Sequence, residues 1–195
     1  MIAASAALRA PTIAFADDVA KAIDAKGYGK DPNLTKNYAP GDLWPLTFTP
    51  AQRKLASVLS DTIIPPEGDQ AAPSALGVID FIDEWISAPY PDSARDRAIV
   101  LDGFAWLDVR ARSRFKAEFV SISGTQRNAI CDELVTAPTP AGMEQAATFF
   151  SRYRDLTAVG FYTTPIGMAD LGYRGNVPLD RYDGPPKEVL AKLGL

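Results

Sequence analysis

TFFSRYRDLTAVGFYTTPIGMADLGYRGNVPL, residues 148–179, begins with helical spacing and ends in a stretch rich in glycine, proline and aromatic residues. In its first half, Phe149, Tyr153 and Leu156 recur at intervals that place side chains on one helix face. The spacing therefore predicts a long helix that ends near Gly160. Because apolar side chains are costly to expose to water, the stretch should pack on the chain's own core, on a partner, or on both.

The second half of this stretch predicts a restricted backbone. Thr164 precedes Pro165, and a capping threonine followed by proline at the first helical position predicts a short helical turn through Ala169. Gly175 and Asn176 are residue types that accept the left-handed backbone angles of turns. Since a segment that is already restricted loses little entropy on binding, its aromatic side chains suit an interface with another chain.

A set of residues in this stretch forms the predicted partner interface. Aromatic residues and methionine are enriched in protein–protein interfaces. The residues concerned are Phe161, Tyr162, Pro165, Met168, Tyr173 and Asn176. The same side chains would also seal the core of a helical domain, and the sequence leaves these two interpretations open.

Four short motifs carry a family resemblance. Residues 161–168 read FYTTPIGM, and residues 171–178 read LGYRGNVP. Upstream, residues 59–65 read LSDTIIP, and residues 75–82 follow the pattern AxGVxxFI. In this order the motifs resemble the gluconate 2-dehydrogenase subunit 3 family, and the resemblance covers about residues 49–179.

The resemblance implies a non-catalytic small, or gamma, subunit of a heteromeric FAD-dependent sugar dehydrogenase, of the glucoside 3-dehydrogenase or gluconate 2-dehydrogenase type. Its partner would be a glucose–methanol–choline-type flavoprotein that holds FAD, and a cytochrome c subunit with haem c would be a further partner. The small subunit would aid the folding, export and stability of the flavoprotein. A helical scaffold or binding module for another periplasmic partner is the alternative.

The composition excludes several kinds of chemistry. The 195 residues include no histidine and one cysteine. This removes Ser-His-Asp and Cys-His catalysis, histidine metal sites, iron–sulfur clusters and covalent haem attachment. The chain is therefore expected to be no enzyme on its own and to have no catalytic, cofactor-binding or metal-binding residue. A net charge of −4 argues against nucleic acid as a partner, and no stretch predicts a transmembrane segment.

Two polar clusters have a structural interpretation beside a functional one. Asp61, Asp80, Asp83 and Glu84 could serve as acid and base or bind a cation, but solvated faces, helix caps and arginine partners explain them better. Five arginines within residues 95–114 could bind an anion. The aspartates between them favour a charged, exposed helix instead.

Cys131 lies on a helix that the pattern predicts to be half buried. An unpaired cysteine in an exported protein is either a buried, inert thiol or a partner in an intermolecular disulfide. The buried thiol is the favoured interpretation, and the intermolecular disulfide through Cys131 is the alternative.

The N-terminal part divides into two predicted segments. Residues 1–16 are small and apolar and end in an Ala-x-Ala pattern, which predicts the remnant of an export signal; a frayed amphipathic terminus is the alternative. The resembled family implies a periplasmic protein exported through a twin-arginine signal, which this sequence lacks. Residues 17–48 are rich in turn formers and carry Tyr28, Tyr38 and Trp44, which predicts an extended segment that wraps a partner or the chain's own helices.

The remaining chain predicts an all-α fold. A compact multi-helix domain, residues 49–179, would follow the long N-terminal loop and end in an irregular C-terminal segment, with residues 180–195 as a tail. Thr49 with Gln52 and Ser123 with Gln126 form capping-box patterns that predict helix starts. The predicted helices are residues 49–64, 74–87, 93–112, 113–120, 123–135 and 141–161, with one turn at 188–193.

Overall fold

The computed structural model of the protein describes residues 38–173, 175, 181 and 184–195. Within these residues the chain forms helices and no strand, which confirms the all-α prediction. The α-helices are α1 (Pro50–Ile63), α2 (Val78–Ser87), α3 (Pro91–Phe115), α4 (Gly124–Val135), α5 (Glu144–Tyr162), α6 (Pro165–Asp170) and α7 (Lys187–Leu193). Two 3-10 turns, Pro73–Ala75 and Phe119–Ser121, connect α1 to α2 and α3 to α4.

The core forms where α3 and α5 pack along each other, with α1, α2 and α4 around them. Its centre is an aromatic cluster in which the ring of Phe104 contacts three others. The ring centroids lie 5.4 Å from Phe48, 6.1 Å from Phe149 and 5.4 Å from Tyr153. These tilted and edge-on arrangements are the ones that aromatic rings prefer.

Two glycines allow the helices of this core to approach closely. A Cβ atom on Gly103 of α3 would lie 2.0 Å from the Phe149 ring, so only glycine lets α5 seat its phenylalanine there. A Cβ atom on Gly160 of α5 would lie 2.9 Å from Phe81 and 3.0 Å from Val78, both on α2. Gly160 therefore serves helix packing, and α5 continues past it to Tyr162.

Local helix signals were predicted well. Thr49 caps α1 and Ser123 caps α4, and in each case the glutamine three residues later completes a capping box. Thr164 caps α6 by accepting a hydrogen bond from the backbone N–H of Gly167 at 3.1 Å. The turn predicted at residues 188–193 is α7.

Several predicted boundaries are wrong, and α3 begins at Pro91 and not at residue 93 because Tyr90 is its N-cap. The helix expected at residues 74–87 begins at Val78, because Gly77 adopts a φ of +78° that separates it from the preceding 3-10 turn. The helix expected to end at residue 112 runs to Phe115, where Lys116 at a φ of +62° ends it, and no separate helix spans 113–120. The last long helix begins at Glu144, three residues after the predicted start.

The described part of the N-terminal loop, residues 38–49, packs on the chain's own helices. Trp44 and Phe48 are buried, with 4% and 8% of their surface exposed. For the described residues of this segment, the structure therefore supports the second alternative, in which the segment wraps the chain's own helices. The predictions for residues 1–37 lie outside the described residues.

Candidate functional site

Asp83 attaches the N-terminal loop to α2. Its side chain is fully buried, and one carboxylate oxygen accepts hydrogen bonds from the backbone N–H groups of Thr47 and Phe48, each at 2.9 Å. The other oxygen accepts a hydrogen bond from Arg53 Nη1 at 2.9 Å. A buried carboxylate is stable only when such donors replace water, so the loop and the arginine satisfy this group together.

The same attachment places residues 39–44 beside the outer face of α2. The backbone N–H of Gly41 donates to Glu84 Oε2 at 2.9 Å, and Trp44 Nε1 donates to the Glu84 carbonyl at 3.2 Å. The Trp44 ring meets Tyr90 edge-on, with centroids 6.2 Å apart. The loop therefore forms one wall of a depression whose floor is α2.

We call this depression the aromatic cleft. It encloses about 740 Å³, a volume in the range of ligand pockets. Trp85 and Tyr90 expose 39% and 42% of their surface and lie among the residues that line it. The cleft is lined by Tyr38, Ala39, Pro40, Trp44, Gly77, Asp80, Phe81, Glu84, Trp85, Ala88, Tyr90, Asp92 and Ser93.

The charge of the aromatic cleft is negative. Three carboxylates line it, and no lysine or arginine is among its described lining residues. Asp80 pairs with Arg53, and Asp92 accepts from Arg95 at 2.6 Å. Glu84 has no basic partner in the described chain; burial raises its pKa, the Gly41 N–H bond opposes that shift, and the charges of Asp83 and Asp42 add to it.

Residues of α3 and α5 hold the Trp85 side chain in position. Its indole N–H donates to Asp96 on α3 at 2.7 Å, and Arg152 on α5 donates to both oxygens of the same carboxylate at 2.8 and 2.5 Å. Arg152 also lies over the Trp85 ring, 5.9 Å from its centroid. Burial tends to raise the pKa of Asp96, but the Arg152 and Trp85 hydrogen bonds outweigh it and lower that pKa.

The predicted interface residues are distributed between core and surface. Phe161 is buried, with 1% of its surface exposed, and Tyr162 packs edge-on against it at 5.1 Å. Phe161 is therefore part of the chain's own core, which is the second of the two interpretations that the sequence left open. Met168 and Tyr173 are 36% and 64% exposed. Asn176 lies outside the described residues.

A second apolar surface emerges from these positions. Leu171, which the interface prediction omitted, exposes 62% of its surface. We call Pro165, Met168, Leu171 and Tyr173 the C-terminal patch, because all four are exposed and lie within α6 or directly after it. The signal that could have found Leu171 is its position between the Met168 and Tyr173 anchors in the same short turn.

The backbone under the C-terminal patch is fixed by close contacts. A Cβ atom on Gly167 would lie 2.2 Å from the Phe161 carbonyl oxygen and 2.7 Å from Tyr162 Cα. The glycine in the PIGM motif therefore lets α6 press against the end of α5. The backbone N–H of Tyr173 bonds the Met168 carbonyl at 2.9 Å and closes the turn.

The remaining candidate carboxylates and arginines have structural partners. Asp61 on α1 holds the 3-10 turn by accepting hydrogen bonds from the Ser74 backbone N–H at 2.9 Å and from Ser74 Oγ at 2.7 Å. On α3, Arg110 pairs with Glu133 of α4. Arg97 is buried and donates to the Ile86 carbonyl at the end of α2 at 2.6 Å. The expected arginine partner is confirmed for Asp80 and Asp83, although Asp83 is buried and not on a solvated face. The exposed charged helix predicted for residues 95–114 is wrong at Asp96 and Arg97, which are buried because they bond to neighbouring helices.

Cys131 is a buried thiol on α4, as the favoured interpretation of the sequence expects. The thiol of Cys131 is buried, and burial raises its pKa to about 12. A thiol with that pKa is protonated at neutral pH and a poor nucleophile. The intermolecular disulfide stays a prediction. The described residues hold no group of three histidine, cysteine or acidic side chains placed to bind a metal.

Sequence reasoning missed the aromatic cleft. The apolar pattern of residues 74–87 predicts that Trp85 lies on a central helix. The cleft, however, forms only because residues 38–44 fold back on that helix, and no local pattern predicts this contact. The available signal was the motif at residues 89–91, where Tyr90 stands between two prolines. Prolines on both sides restrict the backbone and leave the ring presented at a helix start.

A model of the family described as gluconate 2-dehydrogenase subunit 3 matches residues 50–184. This match covers more than half of the chain and includes the C-terminal patch, whereas the loop wall of the aromatic cleft, residues 38–44, precedes it. Neither a curated protein nor a solved structure matches the chain. Within the described residues, no helix combines the length and apolar character that crossing a membrane requires.

Proposed function

The chain belongs to the gluconate 2-dehydrogenase subunit 3 family, and from that membership we propose that it is the non-catalytic small subunit of a heteromeric FAD-dependent sugar dehydrogenase. The catalytic partner in this proposal is a glucose–methanol–choline-type flavoprotein of the gluconate 2-dehydrogenase or glucoside 3-dehydrogenase type. FAD belongs to that partner, and haem c belongs to an electron-transfer subunit.

The observation that carries the proposal is the C-terminal patch. Met168, Leu171 and Tyr173 are exposed on a backbone that close contact at Gly167 has already fixed. Exposed apolar side chains on a rigid support lose little conformational entropy when a partner covers them. Large aromatic residues and methionine in this setting are typical of interface anchors.

The charged groups of the chain support a non-catalytic role. A general acid or base needs a pKa near the working pH and access to substrate. Asp83, Asp96 and Arg97 are buried and occupied by structural hydrogen bonds, and Cys131 is held protonated. These groups stabilise the helical frame and have no free position toward a substrate.

In this proposal the small subunit covers apolar surface of the flavoprotein while it folds and remains bound afterwards. The complex is exported to the periplasm. The same surface then serves folding and stability, because a ligand that binds only the folded state stabilises it by mass action. Removal of the small subunit should therefore lower the amount of flavoprotein more than its intrinsic rate.

Expression of the flavoprotein with and without this chain tests the proposal. We expect that omitting the chain lowers the yield of soluble, flavin-loaded enzyme, while the residual enzyme keeps its turnover per bound flavin. Flavin absorbance and dye-linked sugar oxidation give the two quantities. Equal yields in both cultures would contradict the folding role, and a loss of turnover at equal flavin content would place this chain at the chemistry.

A further inference from the structure

We propose that the aromatic cleft binds an arginine or lysine side chain, together with its apolar neighbours, from a segment of the partner flavoprotein. The inference rests on the proposed function, since it names a contact of the proposed complex. It concerns a surface separate from the C-terminal patch, on α2 and residues 38–44 rather than on α6.

Aromatic faces make the cleft suited to a cation. Trp85 is 39% exposed at its edge, and Phe81 lines it beside Trp85, with ring centroids 6.4 Å apart. A guanidinium or ammonium group over such rings is attracted by their negative faces, and tryptophan is the strongest of them. Arg152 of the same chain already makes this contact with Trp85, at 5.9 Å from the ring centroid.

The acidic residues determine the sign of the occupant. Glu84 is half buried in the cleft, and among the described residues its carboxylate accepts a hydrogen bond from the Gly41 N–H at 2.9 Å. Its neighbours Asp83 and Asp42 are also acidic and disfavour its ionised form. A cation from another chain would compensate a carboxylate for which the described residues supply no basic partner. An anionic or purely apolar occupant would leave Glu84 more desolvated and still uncompensated.

The cleft is built before its occupant arrives. Asp83 fixes the loop wall through two backbone hydrogen bonds, and Asp96 fixes Trp85 through its indole N–H. These bonds come from three elements, α2, α3 and the loop. A preformed site of this kind reduces the ordering cost of binding, which favours a short side-chain anchor over a large rearrangement.

A segment of the flavoprotein is favoured because the cleft adjoins the element that carries the C-terminal patch. Phe81 lines the cleft and contacts Gly160, near the end of α5, which leads directly into α6. A partner that covers the C-terminal patch therefore has this cleft within reach on the neighbouring helix. Residues 1–37 of this chain, which precede Tyr38 at the cleft wall, and a second copy of the chain are the competing occupants.

Photo-crosslinking in the assembled complex tests which occupant is correct. Tyr90→p-benzoylphenylalanine places a reactive ring at the cleft edge, and the same substitution at Val109, which is 65% exposed on α3, is the control. We expect the Tyr90 position to crosslink to a flavoprotein peptide that contains arginine or lysine next to apolar residues. A crosslink to residues 1–37, to a second copy, or to a flavoprotein peptide without a basic residue would overturn the proposal.

A matched pair of neutral substitutions tests the charge. Glu84→Gln keeps an oxygen that can accept the Gly41 N–H, whereas Glu118→Gln removes an exposed carboxylate that pairs with Arg112 outside the cleft. We expect Glu84→Gln to weaken binding of the flavoprotein about tenfold at low salt, and Glu118→Gln to change it by less than about twofold. The difference should shrink as salt rises.

The outcomes separate this inference from the proposed function. Urea unfolding of each isolated variant first shows that its stability matches the wild type. If the flavoprotein binds the wild type and Glu84→Gln equally, the cleft inference fails while the proposed function stands. If the flavoprotein does not bind the wild type at all, the proposed function fails, and the cleft inference fails with it.

Discussion

At the scale of single residues, Asp83 decides how the N-terminal loop joins the helices. It is fully buried, yet it satisfies two backbone N–H groups and Arg53. Asp80, one turn earlier on α2, binds the same arginine from a position that is 45% exposed. The two aspartates thus share a partner and differ in burial, which makes them a natural comparison.

We predict that Asp83→Ala lowers the free energy of unfolding by about 3 kcal/mol, because it leaves buried donors and the Arg53 charge without their acceptor. Asp80→Ala should cost about 1 kcal/mol or less, since an exposed ion pair contributes little. Urea denaturation followed by tryptophan fluorescence measures both values. Equal losses for the two variants would mean that burial of Asp83 does not matter.

Asp96 predicts a pH dependence of stability. Burial acts to raise the pKa of its carboxyl, but the bonds from Arg152 and Trp85 prevail and lower it from its ordinary value of 3.8. A group with a lowered folded-state pKa adds stability above its unfolded-state pKa, and that stability is lost as pH falls through the folded-state pKa. The carboxylate of Asp96 should therefore stabilise the protein at neutral pH and cease to do so in acid.

We expect wild type to be more stable than Asp96→Asn at pH 7, and the difference to shrink below about pH 4. Urea midpoints between pH 7 and pH 3 give the comparison. Asp102→Asn, an exposed change on the same helix, is the control and should differ little from wild type throughout. A difference that grows as the pH falls has the wrong sign and would refute this assignment.

At the scale of elements, close helix contacts depend on the absence of a side chain. Gly103 and Gly160 lie inside α3 and α5, where glycine is a poor helix former. Each is retained at a point where a neighbouring aromatic ring occupies the space of a Cβ atom. At these positions glycine lowers the intrinsic stability of the helix, but the missing Cβ atom allows α2, α3 and α5 to pack more closely.

We predict that Gly103→Ala destabilises the protein by about 2 kcal/mol, because its Cβ would lie 2.0 Å from the Phe149 ring and the overpacking outweighs the gain in helix propensity. Gly124→Ala is the matched control, since no atom lies within 4 Å of the added methyl group. It should change stability by less than about 0.5 kcal/mol. Similar thermal midpoints for both variants would contradict the packing role of Gly103.

The elements show which features local sequence can predict. The capping boxes at Thr49 and Ser123 involve residues three positions apart, so their helix starts were readable. The end of α3 could not be predicted in this way, because Lys116 ends the helix with a φ of +62°, and lysine rarely adopts a positive φ. The interior role of Gly103 depends on Phe149, which is distant in sequence.

The candidate site also combines features that local sequence predicts with features that depend on distant residues. Met168 and Tyr173 were predicted at an interface from residue type and local rigidity, and the structure places both at the surface. Phe161 has the same residue character but is buried against its own chain. Burial of Asp83 and the existence of the aromatic cleft depend on a loop some 35 residues upstream, which no local pattern specifies.

At the scale of the whole molecule, the aromatic cleft and the C-terminal patch lie on a helical frame that buried polar contacts and close packing stabilise in the described part of the chain. Asp83 secures the cleft wall and Gly167 secures the C-terminal patch. The acidic and basic side chains of the interior serve this frame. This division of residues agrees with the proposed role of a subunit that binds a partner.

We predict that Tyr173→Ala lowers the yield of the assembled, flavin-containing complex by about fivefold or more, since truncating a buried aromatic anchor costs at least about 1 kcal/mol of binding free energy. Turnover per bound flavin should stay within about twofold of wild type. Val135→Ala, which truncates an exposed apolar residue at the end of α4, is the control and should leave the yield unchanged. Loss of turnover with assembly intact would place this residue at the chemistry.

The most direct test of a non-catalytic subunit of a flavoprotein dehydrogenase is affinity purification of the tagged chain from its native host, with an absorption spectrum and a dye-linked sugar oxidation assay. The predicted result is a second, larger chain in constant ratio that carries the yellow absorption of oxidised flavin and all of the activity. The isolated small chain should then show no activity. Purification of this chain without a flavoprotein, or sugar oxidation by the isolated chain, would contradict the claim.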